Sequence, residues 1–219
     1  MKRQVVVIGL GRFGSSVVRS LYNLGHDVLA IDNDESRVQQ IMGQSTYALT
    51  GDATDESVLR ELGIPDYDAA VVAIGSAVVP SIMASVLLKT LEVPYIVSRA
   101  YNDLHGNTLE RIGVDKVIHA ESEMGVRLAH SLFNPNVQEY LEVTPNFGIS
   151  KMRIPNRFVN MSLKELGFSN ARDKYGLAVL AIRRRSDITL NPDGDDRLQA
   201  GDTLVLAGRD ELLDSLEMN

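Results

Sequence analysis

The sequence predicts an α/β protein: a doubly wound parallel sheet followed by a second, smaller α+β domain. Three observations predict this fold. Short apolar runs rich in β-branched residues alternate with helical segments through residue 135. A glycine-rich turn directly follows the first of these runs. After residue 135 the alternation stops and extended segments predominate, so we expect domains at 1–135 and 136–219.

The first domain is expected to contain six strands. Residues 5–8 form a continuous β-branched run, typical of a central parallel strand that is covered on both faces. The next helix carries Phe13, Val17, Leu21 and Leu24 on one face and ends at Gly25. The remaining strands are expected at 28–31, 46–50, 69–74, 95–98 and 116–119, and the remaining helices at 36–42, 56–62, 81–91, 108–112 and 122–133. Right-handed crossovers between such strands favour the order 3-2-1-4-5-6.

The second domain is expected to be rich in strands. Extended segments are predicted at 137–143, 148–154, 177–183, 187–190 and 203–207, with a last helix at 209–216. Ser162 and Glu165 form a capping box that opens a short helix. A unit of about 85 residues is small for a catalytic domain.

Composition and charge exclude several kinds of protein. The net charge of −7 argues against nucleic acid as a partner, and the basic run Arg183–Arg185 is interpreted as a solvated strand edge. The absence of cysteine excludes disulfides, thiolate metal sites and a cysteine nucleophile. Residues 69–88 carry no charge and are nominally long enough to span a bilayer, but internal Gly, Pro and Ser residues divide them into a strand, a turn and a helix. We therefore expect a soluble chain.

The segment Gly9-Leu10-Gly11-Arg12-Phe13-Gly14 matches the G-x-G-x-x-G nucleotide-binding pattern in the setting that this pattern requires. It follows a predicted strand, opens a predicted helix, and is followed eighteen positions after Gly14 by Asp32, at the end of the next strand. The three glycines allow a tight turn, approach of the backbone to a phosphate, and close packing of helix on strand in a Rossmann-like fold. Asp32 is expected to accept hydrogen bonds from ribose hydroxyls; a turn or helix-cap carboxylate is the alternative.

Further candidates lie in the loops at the carboxyl ends of the predicted strands, where open α/β sheets bind ligands. The predicted nucleotide-binding residues are Gly9, Gly11, Arg12, Phe13, Gly14, Asp32, Asn33, Asp52, Ala53, Ile74, Gly75, Ser76 and Arg99. Arg12 is either a phosphate ligand at the helix start or a solvated arginine. Asp52 either borders the adenine or caps the next helix, and Arg99 is either a second phosphate cation or a surface residue. Asp34 is expected to cap the helix that follows it.

Glu121 is the one metal-binding candidate. It follows the sixth predicted strand, where a carboxylate either holds a divalent cation next to the phosphates or is simply an acidic residue at a helix start.

Motifs that would indicate catalysis are absent from the sequence. The seven tyrosines lack a lysine four positions later, and neither a P-loop, H-E-x-x-H nor G-x-S-x-G occurs. We therefore expect a binding protein rather than an enzyme. A small NAD-dependent oxidoreductase is the alternative, and a ligand-sensing transcriptional regulator is a third hypothesis that the acidic charge disfavours.

Several segments beyond the glycine turn indicate a family. They are Ile31-Asp32, Gly51-Asp52-Ala53-Thr54-Asp55, Val72-Ala73-Ile74-Gly75, Leu109-Glu110-Arg111-Ile112-Gly113-Val114-Asp115, Val117-Ile118-His119-Ala120-Glu121 and Leu198-Gln199-Ala200-Gly201-Asp202-Thr203-Leu204. Together with the glycine turn they make nearly the whole chain similar to the regulators of potassium conductance, the RCK family of the Ktr and Trk potassium uptake systems. The two predicted domains would then be RCK-N (TrkA-N) and RCK-C (TrkA-C).

This resemblance implies a cytoplasmic regulatory subunit, peripheral to the inner face of the plasma membrane, that gates a potassium channel or transporter. The expected ligand is ATP or ADP, with NAD(H) as the alternative. The resemblance implies that Arg12 contacts the outer phosphate of ATP and that Glu121 binds Mg²⁺ or Ca²⁺ beside it. Arg99 stands where the Ktr pattern has a lysine. A homo-oligomer is implied, at least a dimer and in full an octameric ring, with cyclic di-AMP as a ligand of the C-terminal domain in some members.

Overall fold

The computed structural model describes residues 2–132, 135–168 and 177–213. The chain divides into two compact units, Met1–Ala120 and Glu121–Asn219, and each unit is built around its own sheet. This division places helix α6 (Ala120–Leu132) with the second unit, whereas the boundary expected at residue 135 places it with the first. The domain limits 1–135 and 136–219 therefore stay a prediction.

The first unit contains the expected doubly wound sheet. Its strands are β1 (Gln4–Ile8), β2 (Asp27–Asp32), β3 (Tyr47–Thr50), β4 (Ala69–Val72), β5 (Ile96–Arg99) and β6 (Lys116–Ile118). Its helices are α1 (Arg12–Asn23), α2 (Glu35–Ile41), α3 (Glu56–Glu61), α4 (Val78–Thr90) and α5 (Asp103–Arg111). All the strand pairs are parallel, in the order β3-β2-β1-β4-β5-β6. The predicted fold class and strand order are confirmed.

Strand β1 shows why this sheet must be covered on both faces. Val6 and Ile8 belong to one buried apolar cluster, whereas Val5 and Val7 belong to another. Because successive side chains of a strand point to opposite faces, an uninterrupted apolar run requires helices on both sides. Helix α1 packs against the second cluster, but Leu24, expected on its apolar face, follows the last helical residue and is 73% exposed.

The uncharged stretch of residues 69–88 folds as the sequence predicts, into β4, a loop and most of α4. In the described part of the chain, no helix combines the length and the hydropathy that a membrane span requires.

The second unit is a five-stranded antiparallel sheet with short helices. Its strands are β7 (Val137–Thr144), β8 (Phe147–Arg153), β9 (Leu177–Arg184), β10 (Asp187–Leu190) and β11 (Thr203–Arg209), in the order β10-β9-β11-β8-β7. The capping box of Ser162 and Glu165 is present at the start of α7 (Leu163–Leu166). Arg209 pairs with Phe147 at the end of β11, so the last helix begins at 210 rather than 209. Residues 133 and 214–216 of the predicted helices lie outside the described residues.

An ion pair between the half-exposed Arg184 and the buried Asp202 holds the turn that precedes β11. The Arg184 guanidinium donates from Nε and Nη2 to the two carboxylate oxygens of Asp202, at 3.0 and 2.8 Å. The backbone N–H of Gln199 donates to the same carboxylate. Burial raises the pKa of Asp202, but these hydrogen bonds outweigh burial and hold that pKa below its usual value. Asp202 is therefore a structural carboxylate.

Candidate functional site

A cavity of about 490 Å³ lies at the carboxyl ends of the strands of the first unit. This volume is within the range of small-molecule sites. Ten of the thirteen predicted nucleotide-binding residues line it: Gly9, Gly11, Asp32, Asn33, Asp52, Ala53, Ile74, Gly75, Ser76 and Arg99. Residues from five separate segments of the sequence are thus brought to one place, which is where ligands bind in open α/β sheets.

The three glycines of the first turn are glycine for different structural reasons. Gly9 has a φ of +95°, and a Cβ atom there would lie 3.0 Å from the backbone of Ala73 and Ile74. Gly14 is buried, and its Cβ would overlap the carbonyl oxygen of Gly9. Gly11 is different because no heavy atom lies within 4 Å of its would-be Cβ. Gly9 and Gly14 are therefore required by the fold, whereas Gly11, which lines the cavity, has space for a small side chain.

Asp32 is engaged by the backbone on both of its carboxylate oxygens. Leu10 N–H donates to Oδ2 at 2.6 Å and Asp34 N–H donates to Oδ1 at 2.9 Å. The carboxylate is 5% exposed and lines the cavity. Among the described residues Oδ1 accepts only the bond from Asp34 N–H and retains a lone pair, so Asp32 can still accept a hydrogen bond from a ligand hydroxyl. The ligand and turn roles that the sequence leaves open are therefore compatible in one residue.

Arg37 lines the cavity, although the sequence analysis did not select it. Its Nη1 atom lies 3.5 Å from Oδ2 of Asp32, and its Nε atom lies 3.5 Å from Oδ2 of Asp34. The available signal was its spacing, because an arginine three positions after the cap of a helix faces back toward that cap. Arg37 adds a cation near the carboxylate expected to bind ribose.

The carboxylates of Asp34 and Asp52 both accept hydrogen bonds from residues two positions later in the chain. Asp34 is the N-cap of α2 and accepts from Ser36 N–H, as predicted. Asp52 accepts from the hydroxyl and the N–H of Thr54, which lower the pKa of its carboxyl. The cap of α3 is Asp55 rather than Asp52, so the helix-cap alternative for Asp52 is wrong. Asp52 is exposed and lines the cavity.

The phosphate-binding potential of the cavity comes from the start of α1 and from Arg99. In the described structure, no side chain caps the first turn of α1. Uncapped N–H groups at a helix start attract anions. Arg99, the last residue of β5, adds a guanidinium to the cavity lining. This guanidinium lies 5.8 Å from the ring centre of Phe13, in the first turn of α1.

Arg12, Phe13 and Gly14 are predicted site residues that lie outside the cavity lining described above. Arg12 is exposed at the first position of α1, next to the cavity residue Gly11. Glu121 is exposed in the first turn of α6 and belongs to the second unit. Among the described residues, no group of three or more His, Cys, Asp or Glu side chains is arranged to hold a metal ion. The metal role of Glu121 stays a prediction.

Comparison with protein families and known proteins agrees with this architecture. The TrkA-N domain family model matches residues 5–120, and the TrkA-C domain family model matches residues 151–219. The Ktr system potassium uptake protein A of Bacillus subtilis (strain 168) is 38% identical over 206 residues, which cover 94% of this chain and 91% of that protein.

Two solved structures share the fold. The GsuK channel bound to NAD has a TM-score of 0.64 and 17% identity, and the match covers 99% of this chain but only 39% of the GsuK chain. The Kef C-terminal domain of Shewanella denitrificans, in an AMP-bound form, has a TM-score of 0.50 and 28% identity over 60% of this chain and 82% of that chain. With both family models matched in order and a relative of nearly the same length, the chain belongs to the RCK family of TrkA-N/TrkA-C proteins, among the Ktr- and Trk-type regulatory subunits of potassium uptake systems.

Proposed function

We propose that this chain binds an adenine nucleotide in the cavity of its first unit and thereby regulates a membrane potassium channel or transporter. The observation that carries the proposal is the cavity itself, in which the glycine turn, a ribose-type carboxylate and an arginine line one space. Its family relatives include a Ktr system potassium uptake protein. The partner is then the transporter subunit of a Ktr- or Trk-type system, at the cytoplasmic face of the membrane.

The proposed ligand is ATP or ADP, with NAD(H) as the alternative. The Kef C-terminal domain, 28% identical, is described with AMP bound. The glycine turn and the start of α1 suit inner phosphates, which ATP, ADP and NAD share. Discrimination among them must come from groups that reach an outer phosphate, and we assign that task to Arg12 and to a divalent cation held by Glu121.

Regulation requires more than binding. A nucleotide shifts an equilibrium only if it binds two arrangements of the protein with different free energies. We therefore propose that the subunits form a homo-oligomer, a dimer at least and an octameric ring in the full assembly, whose arrangement depends on the nucleotide. A cyclic di-AMP site in the C-terminal domain belongs to the same proposal.

We further propose that the nucleotide is not turned over. Thr54 lowers the pKa of the exposed cavity carboxylate Asp52, which makes this group a weak general base near neutral pH. An oxidoreductase would need a proton-transfer group matched to its reaction. Steady hydride transfer from NADH to common aldehydes or keto acids would contradict the non-enzyme proposal.

The test combines native mass spectrometry with calorimetry on the full chain. Arg12→Ala is expected to weaken ATP by at least tenfold and ADP much less, because a charge-assisted hydrogen bond to the outer phosphate contributes about 1.5–3 kcal/mol. Arg19→Ala is the matched control, since Arg19 lies on the same helix but bonds to Gln44 instead. Glu121→Gln is expected to remove the Mg²⁺ or Ca²⁺ dependence of ATP binding and to leave ADP nearly unchanged.

Two results would contradict parts of this proposal. Equal losses of ATP and ADP in Arg12→Ala would restrict Arg12 to the inner phosphates and favour a dinucleotide ligand. A monomer at every concentration, with and without nucleotide, would count against regulation through assembly.

A further inference from the structure

The guanidinium of Arg99 lines the cavity in a slot next to Phe13 and Gly75. The ring of Phe13 is one neighbour, with the guanidinium carbon 5.8 Å from the ring centre. Gly75 is a second neighbour, where a Cβ atom would come within 2.9 Å of Nη1, 3.7 Å of the guanidinium carbon and 3.8 Å of Nη2. The absence of a side chain at Gly75 and the aromatic face of Phe13 are therefore two of the constraints on where this cation lies.

The slot is at the end of the cavity where phosphates are expected. Phe13 is in the first turn of α1, two positions after the cavity residue Gly11, and this helix start favours anions. Asp32, the carboxylate expected to bind ribose, follows a different strand from Arg99 and accepts hydrogen bonds from Leu10 N–H and Asp34 N–H. A guanidinium beside the uncapped start of a helix is well placed to pair with a phosphate.

We propose that Phe13 and Gly75 are positioning residues that act through Arg99, and that they set how strongly the site prefers phosphorylated adenosine over adenosine itself. This proposal rests on the proposed function, because it requires that the cavity binds a nucleotide. Neither residue needs to touch the ligand. Phe13 packs against the apolar cluster of β1, β2 and α1 rather than lining the cavity, and Gly75 contributes the absence of a side chain.

The two residues constrain Arg99 in different ways, which gives two independent perturbations. The Phe13 ring attracts the cation through its negative face, a weak interaction at 5.8 Å. Phe13→Leu keeps apolar volume but removes this attraction, whereas Phe13→Tyr keeps the aromatic face. Gly75→Ala introduces a methyl group whose nearest neighbours all belong to the end of the flexible Arg99 side chain. The methyl group therefore displaces the guanidinium while leaving the fold intact.

The experiment measures the affinities of adenosine, AMP, ADP and ATP for the full chain by calorimetry. The proteins are wild type, Phe13→Leu, Phe13→Tyr, Gly75→Ala, Arg99→Ala, and the doubles that combine Phe13→Leu or Gly75→Ala with Arg99→Ala. We expect Phe13→Leu to reduce the preference for ATP over adenosine by about two- to fivefold, the size of an exposed cation–π contact. Gly75→Ala should reduce this preference further, and Phe13→Tyr should retain it. In the Arg99→Ala background, neither substitution should change it.

The outcomes separate this inference from the proposed function. If wild type binds none of the four ligands, or binds adenosine as tightly as ATP, the assignment of ATP or ADP as the ligand fails and this inference falls with it. If wild type prefers ATP but Arg99→Ala does not reduce that preference, Arg99 is not a phosphate ligand and this inference alone is overturned. It is also overturned if Phe13→Leu or Gly75→Ala weakens all four ligands by the same factor, or keeps its full effect without Arg99.

Discussion

Replacing Asp32 by alanine is expected to weaken the fold as well as the binding of nucleotide. The substitution removes the acceptors of two backbone donors, Leu10 N–H and Asp34 N–H. Leu10 is 3% exposed, so its N–H would be left buried without a partner, at a cost of about 1–3 kcal/mol. Asp34 is only half-buried, and water can replace most of the second bond. The contact with the half-exposed Arg37 adds little. The expected loss of stability is about 2–4 kcal/mol.

Urea unfolding followed by hydrogen exchange and mass spectrometry can measure this loss separately for the two units. The matched control is Asp52→Ala. The Asp52 carboxylate lines the same cavity, but it is exposed and its hydrogen bonds stay within its own turn. We expect Asp52→Ala to cost at most about 1 kcal/mol. If the first unit of Asp32→Ala unfolds at the same urea concentration as wild type, the two backbone bonds contribute nothing and the reasoning is wrong. Nucleotide affinities of Asp32 variants are interpretable only alongside this measurement.

Two further predictions follow from the glycine turn and the second sheet. Gly11→Ala should keep wild-type stability but lose nucleotide affinity, because Gly11 lines the cavity and no protein atom lies within 4 Å of the added methyl group. Gly14→Ala should instead destabilise the first unit, because its methyl group would overlap the Gly9 carbonyl. Thermal unfolding measures the stability of both variants, and calorimetry measures their nucleotide affinity. The lowered pKa of Asp202 stabilises the fold above about pH 4, and this contribution is lost as pH falls through the folded pKa. Stability should therefore fall more steeply with acid in wild type than in Asp202→Asn.

The pattern of apolar residues predicted the sheet well because the apolar positions of its strands are the positions that are buried. The run of residues 5–8 is apolar throughout since each face of β1 meets a different cluster. The helix predicted at 108–112 begins five residues earlier in the structure, at Asp103, and it contains Gly106, a residue that ordinarily disfavours a helix interior. In the structure Gly106 lies beneath the His119 ring, where a Cβ would be 2.7 Å from Cε1, and Asn102 caps the helix. That contact is tertiary, so no local pattern contains it.

The candidate site shows the same division between local and tertiary information. Loop order along a parallel sheet was sufficient to bring ten predicted residues to one cavity. Loop order was not sufficient to show that Asp32 accepts hydrogen bonds from both the glycine turn and its own loop, since the first bond depends on the distance between Leu10 and the end of β2. Arg37 was missed because its role depends on side-chain direction, and the slot of Arg99 depends on two segments remote in sequence.

The close contact between Gly9 and Gly14 limits how the glycine turn can change in evolution. Neither position accepts a side chain without moving backbone, and Leu10 between them is buried. Arg12 is exposed, so a mutation there escapes this folding constraint. Selection for a different nucleotide can therefore replace Arg12, the proposed contact to the outer phosphate, while the glycine turn stays unchanged. Related sequences that have diverged in ligand preference should therefore differ at the position of Arg12 before they differ at Gly9 or Gly14.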